Sequence, residues 1–342
     1  MFFSKGHKKS SNPLLGLFRL IMSVVIMGVL ALGLVQAYKA FSGYDPMKLD
    51  ATSLQGLLTS ESAYETLIGL LTFDPKESIK NTTGLGDKGE EGEQSDQGGG
   101  SGSPVKFKFA VMADSHKDIA TLERALSQVK AEGAKFVVIM GDLSDVGTVE
   151  ELSATKQVLE SSGLPYYANP GDHDLWDSRD KVSDPPKNFV EVFGKTYQSF
   201  TYDMVRYILI YNSDNYMGLD GVQLQWVEDE LARAETENAP ELTFVFAPTP
   251  LYHPSSDHVM GKVTPKLTSQ ADHLATTFKR GGVDLVFSAD THFYSKFIEP
   301  KNELGMLTVG AVTSERNPQA PRFAMVDILE DGSYNTRETE VN

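Results

Sequence analysis

The stretches FKFAVMADSH (residues 107–116) and FVVIMGDLSD (136–145) decide how this chain folds. Each is an apolar run of strand length that breaks off into a polar cluster containing an aspartate. Between them Ile119, Leu122, Leu126 and Val129 recur at helical spacing and stop at Gly133. After the second run, Val149 to Leu159 repeats the helical pattern and ends before Gly163. A third strand, Leu164 to Ala168, then leads to Gly171-Asp172-His173-Asp174. Strand–helix alternation of this kind predicts a parallel sheet. Farther along, Tyr197 to Asp203 and Val205 to Asn212 read as adjacent antiparallel strands, and Leu224 to Leu231 as an amphipathic helix around Trp226. Leu242 to Phe246, Val283 to Ser288, Met306 to Val309 and Phe323 to Ile328 read as further strands. The expected class is α/β with mixed sheets.

Four polar clusters follow apolar strands: Asp114-Ser115-His116, Gly141-Asp142-Leu143-Ser144-Asp145, Gly171-Asp172-His173-Asp174 and Asp290-Thr291-His292. In α/β sheets ligands gather at the carboxyl ends of strands, so loops far apart in sequence can converge there. A mixture of imidazoles and carboxylates suits Zn, Fe or Mn better than an all-oxygen calcium site. Singly, a Gly-Asp step after a strand is a turn or a helix cap. It is the order and strand-end placement of all four that points to one site.

These clusters resemble the Asp-x-His, Gly-Asp-x-x-Asp/Asn, Gly-Asn-His-Asp/Glu and Gly-His-x-His signatures of the calcineurin-like metallophosphoesterases, including their purple acid phosphatase-like branch. The likeness spans about Phe107 to Ile328 and includes Gln223-Leu224-Gln225-Trp226-Val227, which resembles that family's Gln-x-x-Trp-Leu helix. It implies two mixed β-sheets packed together and flanked by helices. It also implies two divalent metal ions, roughly 3.5–4 Å apart, that activate water against a phosphate ester. By the same resemblance Asp114, His116, Asp142 and His292 form the first metal site, for Fe, Zn or Mn, with Asp142 shared between the metals. His173 and Asp174 are the implied catalytic pair. His173 stabilises phosphoryl oxygens or protonates the leaving oxygen, and Asp174, with Asp145, orients imidazoles.

The second site departs from the family. Asp172 stands for the usual asparagine, and Asp290 for the first histidine of Gly-His-x-His, with Ala289 in place of its glycine. In FAPTPLY (246–252), Pro248 and Thr249 occupy the places where the family reads His-His-Pro-Leu-Tyr, so an imidazole is missing unless His253 or His258 comes in from the same loop. The family's ligand set has two carboxylates, whereas Asp114, Asp142, Asp172 and Asp290 make four here. Carboxylates in place of imidazoles shift the second metal toward Mn, Mg or Ca. Two functions follow: a phosphoesterase with a remodelled metal pair, or a catalytically degenerate binding or scaffold domain.

Composition sets outer limits. The 342 residues carry a net charge of -16, which argues against a nucleic-acid backbone as partner, and no cysteine, which removes disulfides and thiolate sites. Lys5, Lys8 and Lys9 precede an apolar stretch from Leu14 to Ala37, long enough to span a bilayer with its basic flank cytoplasmic. It reads as a signal-anchor, with residues 38–342 extracytoplasmic. A cleaved signal peptide ending at Val35-Gln36-Ala37 would make the protein secreted instead. Residues 38–80 suggest a juxtamembrane helical segment, 81–103 a Gly, Ser and acidic linker, and 104–342 the catalytic domain. No feature sets an oligomeric state. Removing residues 1–103 is therefore expected to leave a soluble, folded chain, checked by size-exclusion chromatography and circular dichroism. Aggregation of that fragment, with the chain from residue 38 remaining soluble, would move the boundary toward the amino end.

Overall fold

The computed structural model describes residues 103–342 apart from Ser183 and 234–240. The expected anchor and juxtamembrane segment lie outside the described residues. Among the described residues no helix is long and apolar enough to cross a membrane.

The first strand, β1 (Val105–Ala113), has both faces covered, and its alternation shows why. Phe107, Phe109, Val111 and Ala113 point into one buried cluster, while Ala110 and Met112 point into another. It pairs in parallel with β2 (Val137–Gly141), which pairs in parallel with β3 (Tyr166–Pro170). On its other edge lies antiparallel β10 (Arg322–Leu329), followed by β11 (Tyr334–Glu340), giving the order β11-β10-β1-β2-β3. A second sheet runs β4 (Gln198–Tyr202), β5 (Val205–Leu209), β6 (Leu242–Phe246), β7 (Leu285–Ser288), β9 (Leu304–Thr308) and β8 (Ser295–Glu299). Its four inner strands are mutually parallel, and β4 and β8 close it as antiparallel edges.

The sheets meet face to face through an aromatic core. Phe109 stacks on Phe136 at 5.2 Å and meets Tyr207 edge-on at the same distance, and Phe246 stacks on Phe287 at 5.1 Å. Offset and edge-on arrangements of this kind are favourable beyond the area they bury. The outer face of the first sheet is covered by α1 (Ile119–Ala131), α2 (Val149–Ser162) and α4 (Lys187–Phe193). That of the second is covered by α5 (Gly221–Arg233) and α6 (Thr268–Arg280). Asp118 caps α1 by accepting from Thr121 N, and Thr148 caps α2 by accepting from Glu151 N, so each helix starts right after a polar strand-end cluster. A one-turn 3-10 helix at His173–Leu175 runs into α3 (Trp176–Val182).

The structure shows the two mixed sheets and flanking helices expected from the sequence. Three strands are shorter than expected: β4 and β7 by two residues each and β5 by three. β5 stops at Leu209 because Tyr211 N turns to Gln223 Oε1 (2.6 Å), and the Asn212 side chain engages the Thr249 backbone instead of a neighbouring strand.

Polar ties register the sheets at their carboxyl ends. Asn169, fully buried on β3, donates from Nδ2 to Ile210 O (2.7 Å) and Phe246 O (3.2 Å) of the opposite sheet. Ser213 Oγ donates back to Pro170 O at 2.6 Å. Asn169→Ala would leave both carbonyls without that donor, and should lower unfolding free energy by about 1–3 kcal/mol in urea denaturation. An unchanged midpoint would show that these carbonyls find other donors.

Candidate metal centre

The polar clusters converge where the sheets meet. Asp114, at the end of β1, is fully buried, and its carboxylate ties three strand ends together. Oδ1 accepts from Asp142 N (3.3 Å) and Oδ2 from Asp290 N (3.0 Å). The Asp142 carboxylate accepts from His173 N through Oδ1 (3.1 Å). Its Oδ2 faces His116 Nε2 at 3.6 Å and His173 Nε2 at 3.9 Å. Such close approach needs glycine. A Cβ on Gly171 would lie 2.0 Å from Asp142 Oδ1, and one on Gly141 would lie 2.4 Å from Asp114 Oδ1. The backbone is bent to suit: Asp114, His116, Asp290 and His292 have φ of 49°, 41°, 65° and 59°. Left-handed conformations cost energy outside glycine and cluster where function requires them.

Hydrogen bonds set the imidazole tautomers. His173 Nδ1 lies 2.6 Å from Asp145 O and His292 Nδ1 lies 2.7 Å from Arg316 O. A carbonyl only accepts, so both Nδ1 atoms carry the proton, and in the neutral rings both Nε2 atoms present lone pairs. His292 Nε2 lies 3.1 Å from His116 Nε2. His116 Nδ1 is buried without a hydrogen bond, 3.6 Å from Asp145 Oδ1. Single atoms of Asp114, Asp142 and His292 lie within 4.8 Å of one another, as do those of His116, Asp142 and His173.

The electrostatics ask for a cation. Burial and then the neighbouring Asp172 and Asp114 push the Asp142 carboxyl well above its ordinary range. Burial likewise raises Asp114, with Asp290 adding to it and His292 opposing. Burial, followed by His173 and His292, depresses His116 to about 3. The carboxylates resist ionising because they are buried, with neighbouring acids adding to it, and His116 resists protonation. A metal ion suits both, since it binds ionised carboxylates and neutral imidazoles. The donor set therefore fits a divalent metal.

Asp172 and Asp290 lie at the rim. Asp172 Oδ2 accepts from Asn215 Nδ2 (3.2 Å), and Asp290 Oδ1 lies 3.3 Å from His258 Nδ1. Burial and then Asp290 raise the Asp172 carboxyl, while Arg179 works against this. Asp174 differs from the expectation that it orients an imidazole and acts beside His173. It does not orient an imidazole; fully buried, it accepts from Leu143 N (3.1 Å), Ser144 N (2.9 Å), Ser144 Oγ (2.6 Å) and Gly171 N (3.0 Å). It pins the loops after β2 and β3 together, a positioning residue out of substrate's reach. Asp145 supplies the imidazole contacts instead.

Several neighbours were not anticipated. Trp176 stacks on His173 with ring centroids 3.7 Å apart, and Arg316 supplies the carbonyl that sets His292. Asn215 follows β5 and Arg316 follows β9. They lie six and eight residues past those strands, beyond the strand ends that picked out the other clusters.

Residues 107–294 match the calcineurin-like phosphoesterase family. The chain belongs to that family. As a calcineurin-like phosphoesterase it is 26% identical over 142 residues to a "probable cyclic nucleotide phosphodiesterase" of Fibrobacter succinogenes, an overlap covering 38% of this chain and 54% of that one. In structure it resembles a purple acid phosphatase from yellow lupin (Lupinus luteus) seeds, with TM-score 0.53 and 16% identity, over 70% of this chain and 52% of the lupin enzyme. A Plasmodium protein described as the anchor in the inner membrane complex overlays with TM-score 0.48 and 14% identity, covering 70% of this chain and 90% of its own. The chain thus spans about half the length of the Fibrobacter relative.

A metal ion held by Asp114 and Asp142 would have to displace their protons. In the metal-free fold their raised pKa values mean that protons bind more tightly than in the unfolded chain. Their contribution to stability is therefore present at low pH and lost as pH rises from about 4 toward neutrality. His116 has the opposite sign, gaining stability as pH rises between about 3 and 6.5. With two carboxylates against one imidazole, the rise in Tm on adding Mn2+ should be larger at pH 7.5 than at pH 5.5. Differential scanning fluorimetry reads this directly, and an equal rise at both would contradict the carboxylate assignment.

Proposed function

We propose that this calcineurin-like phosphoesterase is a metal-dependent phosphoric ester hydrolase with two metal positions. We further propose that it is held at the membrane by residues 14–37, with its catalytic domain on the extracytoplasmic side. The observation that carries the enzymatic reading is the convergence of Asp114, His116, Asp142 and His292 with His173 at their edge. A binding domain that had lost its chemistry has no need of a second imidazole system, with its tautomer set by Asp145 O and a Trp176 ring stacked on it.

The chain's own residues divide the work. Asp114, His116, Asp142 and His292 would hold the first metal, and Asp142, Asp172 and Asp290 the second, with Asp142 common to both. Bound divalent ions acidify a water and neutralise phosphoryl oxygens. His173 keeps its proton on Nδ1 against Asp145 O, leaving Nε2 to take up a proton and pass it to the leaving oxygen. Carboxylates at the second position favour Mn or Mg there over Zn.

The Fibrobacter relative's name brings phosphodiesters into consideration beside monoesters. The Lys-flanked apolar segment at 14–37 supports export, which makes an extracytoplasmic phosphate ester the substrate class. A scaffold reading is favoured by one observation. Pro248 offers no donor where the family reads histidine, and Thr249 is pinned by its backbone to Asn212.

Purified chain assayed with p-nitrophenyl phosphate and bis(p-nitrophenyl) phosphate should release nitrophenolate only with Mn2+ or Mg2+ present. On an alkyl ester such as glycerol 2-phosphate, whose leaving alkoxide needs a proton, His173→Ala should lower kcat about 10²-fold with metal content unchanged, as removal of a general acid does, and much less on the nitrophenyl esters. Two bound metals without hydrolysis of any phosphate ester would favour the scaffold.

A further inference from the structure

The loop joining β6 to α6 carries two histidines among the described residues, and they behave oppositely. His253 is turned into the protein. Its Nδ1 accepts from Ser255 N (3.1 Å) and Ser256 N (2.9 Å), and its ring meets Phe293 and Phe297 edge-on at 5.1 and 4.8 Å. His258 has a side chain 65% exposed, yet its Nδ1 is held 3.3 Å from Asp290 Oδ1. The loop keeps it there. His258 N donates to Ser256 Oγ (3.1 Å), Met260 N to Pro250 O (2.8 Å), and Lys262 pairs with Asp257 at 2.8 Å.

An exposed ion pair contributes little, so the contact with Asp290 is a weak reason for this conformation. Its place is a stronger one. The acid it meets, Asp290, gives its backbone N–H to Asp114 Oδ2 (3.0 Å), so the His258 ring stands at the edge of the carboxylate cluster and not beside one isolated acid. The position where the family reads an imidazole is filled by Pro248 and Thr249, which offer at most a buried hydroxyl. Without another nitrogen, Asp142, Asp172 and Asp290 would form an all-oxygen set.

We propose that His258 is the imidazole ligand of the second metal position, completing Asp142, Asp172 and Asp290 from a point farther along the same loop. Ion binding then exchanges the His258–Asp290 contact for two bonds to one metal, and it fastens the segment from His253 to Lys262 at the site. This rests on the two-metal reading above.

The test is a Mn2+ titration of the chelator-stripped full chain, with free Mn2+ followed by electron paramagnetic resonance. Amide hydrogen exchange of the 253–262 segment is followed at each equivalent. The wild type should bind two Mn2+, with exchange in that segment slowing at the second equivalent. His258→Ala, on an exposed side chain, should keep one site unchanged and weaken the other by at least the roughly 10–100-fold that losing a mere partner of a ligand costs, with no slowing of exchange. His253→Asn, which retains an acceptor for the Ser255 and Ser256 amides, should match the wild type. If His258→Ala binds the second Mn2+ like the wild type, or if exchange is indifferent to the second equivalent, the assignment is overturned while the two-metal reading stands. A wild type that binds fewer than two Mn2+ overturns that reading and this assignment with it.

Discussion

The fold is arranged around a concentration of negative charge that it cannot neutralise alone. Asp114 and Asp142 sit buried where two sheets meet, with Asp172 and Asp290 at the rim and Asp174 beneath. Burying an unpaired carboxylate is strongly unfavourable, and burying several together adds mutual repulsion. Carbonyls on the far nitrogens of His173 and His292 fix the Nδ1–H tautomer and turn each Nε2 toward the acids. Such a centre is stable only with protons or with metal. That choice ties stability, metal binding and pH to the same few atoms.

Rigid construction follows from this. Repulsion would be relieved if any strand end drifted, so each is fastened from behind. Asp114 binds the backbone of Asp142 and Asp290, Asp174 binds the loops after β2 and β3, and Asn169 and Ser213 tie one sheet to the other. The left-handed residues and the glycines at 141 and 171 mark where the chain must turn sharply to bring carboxylates this close. The two aromatic-filled sheet faces supply the stability that offsets strain at the rim.

The parallel strands and the four polar clusters were legible in the sequence for one reason: an apolar run that ends in Asp, Gly or His is a local signal. What was not legible depends on tertiary pairing. β11 has the sequence YNTRETE, too polar to read as a strand, and exists because β10 offers it a full ladder of backbone partners. α3 and α4 are each seven residues long, too short for periodicity to register. α6 buries Ala271, Leu274, Ala275 and Phe278 at helical spacing, but half of that stripe is alanine and the signal is faint. The place of Asp174 depends on tertiary structure in the same way. Its place beside His173 in sequence suggests an imidazole partner, whereas the 3-10 turn at 173–175 points it away, into the backbone of the β2 loop.

The departures from the family pattern form a compensated set. An extra carboxylate at position 172 arrives with Asn215 donating to it and Arg179 nearby to oppose its raised pKa. Another at position 290 arrives with His258 against it, and its backbone N–H is spent on Asp114. Meanwhile the loop that has lost its histidine keeps its geometry through Asn212, which takes both the N–H and the carbonyl of Thr249. Random decay of a metal site would leave new charges without partners, because a lone buried carboxylate has no local remedy. Each new acid here has a donor or cation placed by a different loop, and that pairing across loops supports the proposal of a remodelled centre over one of decay.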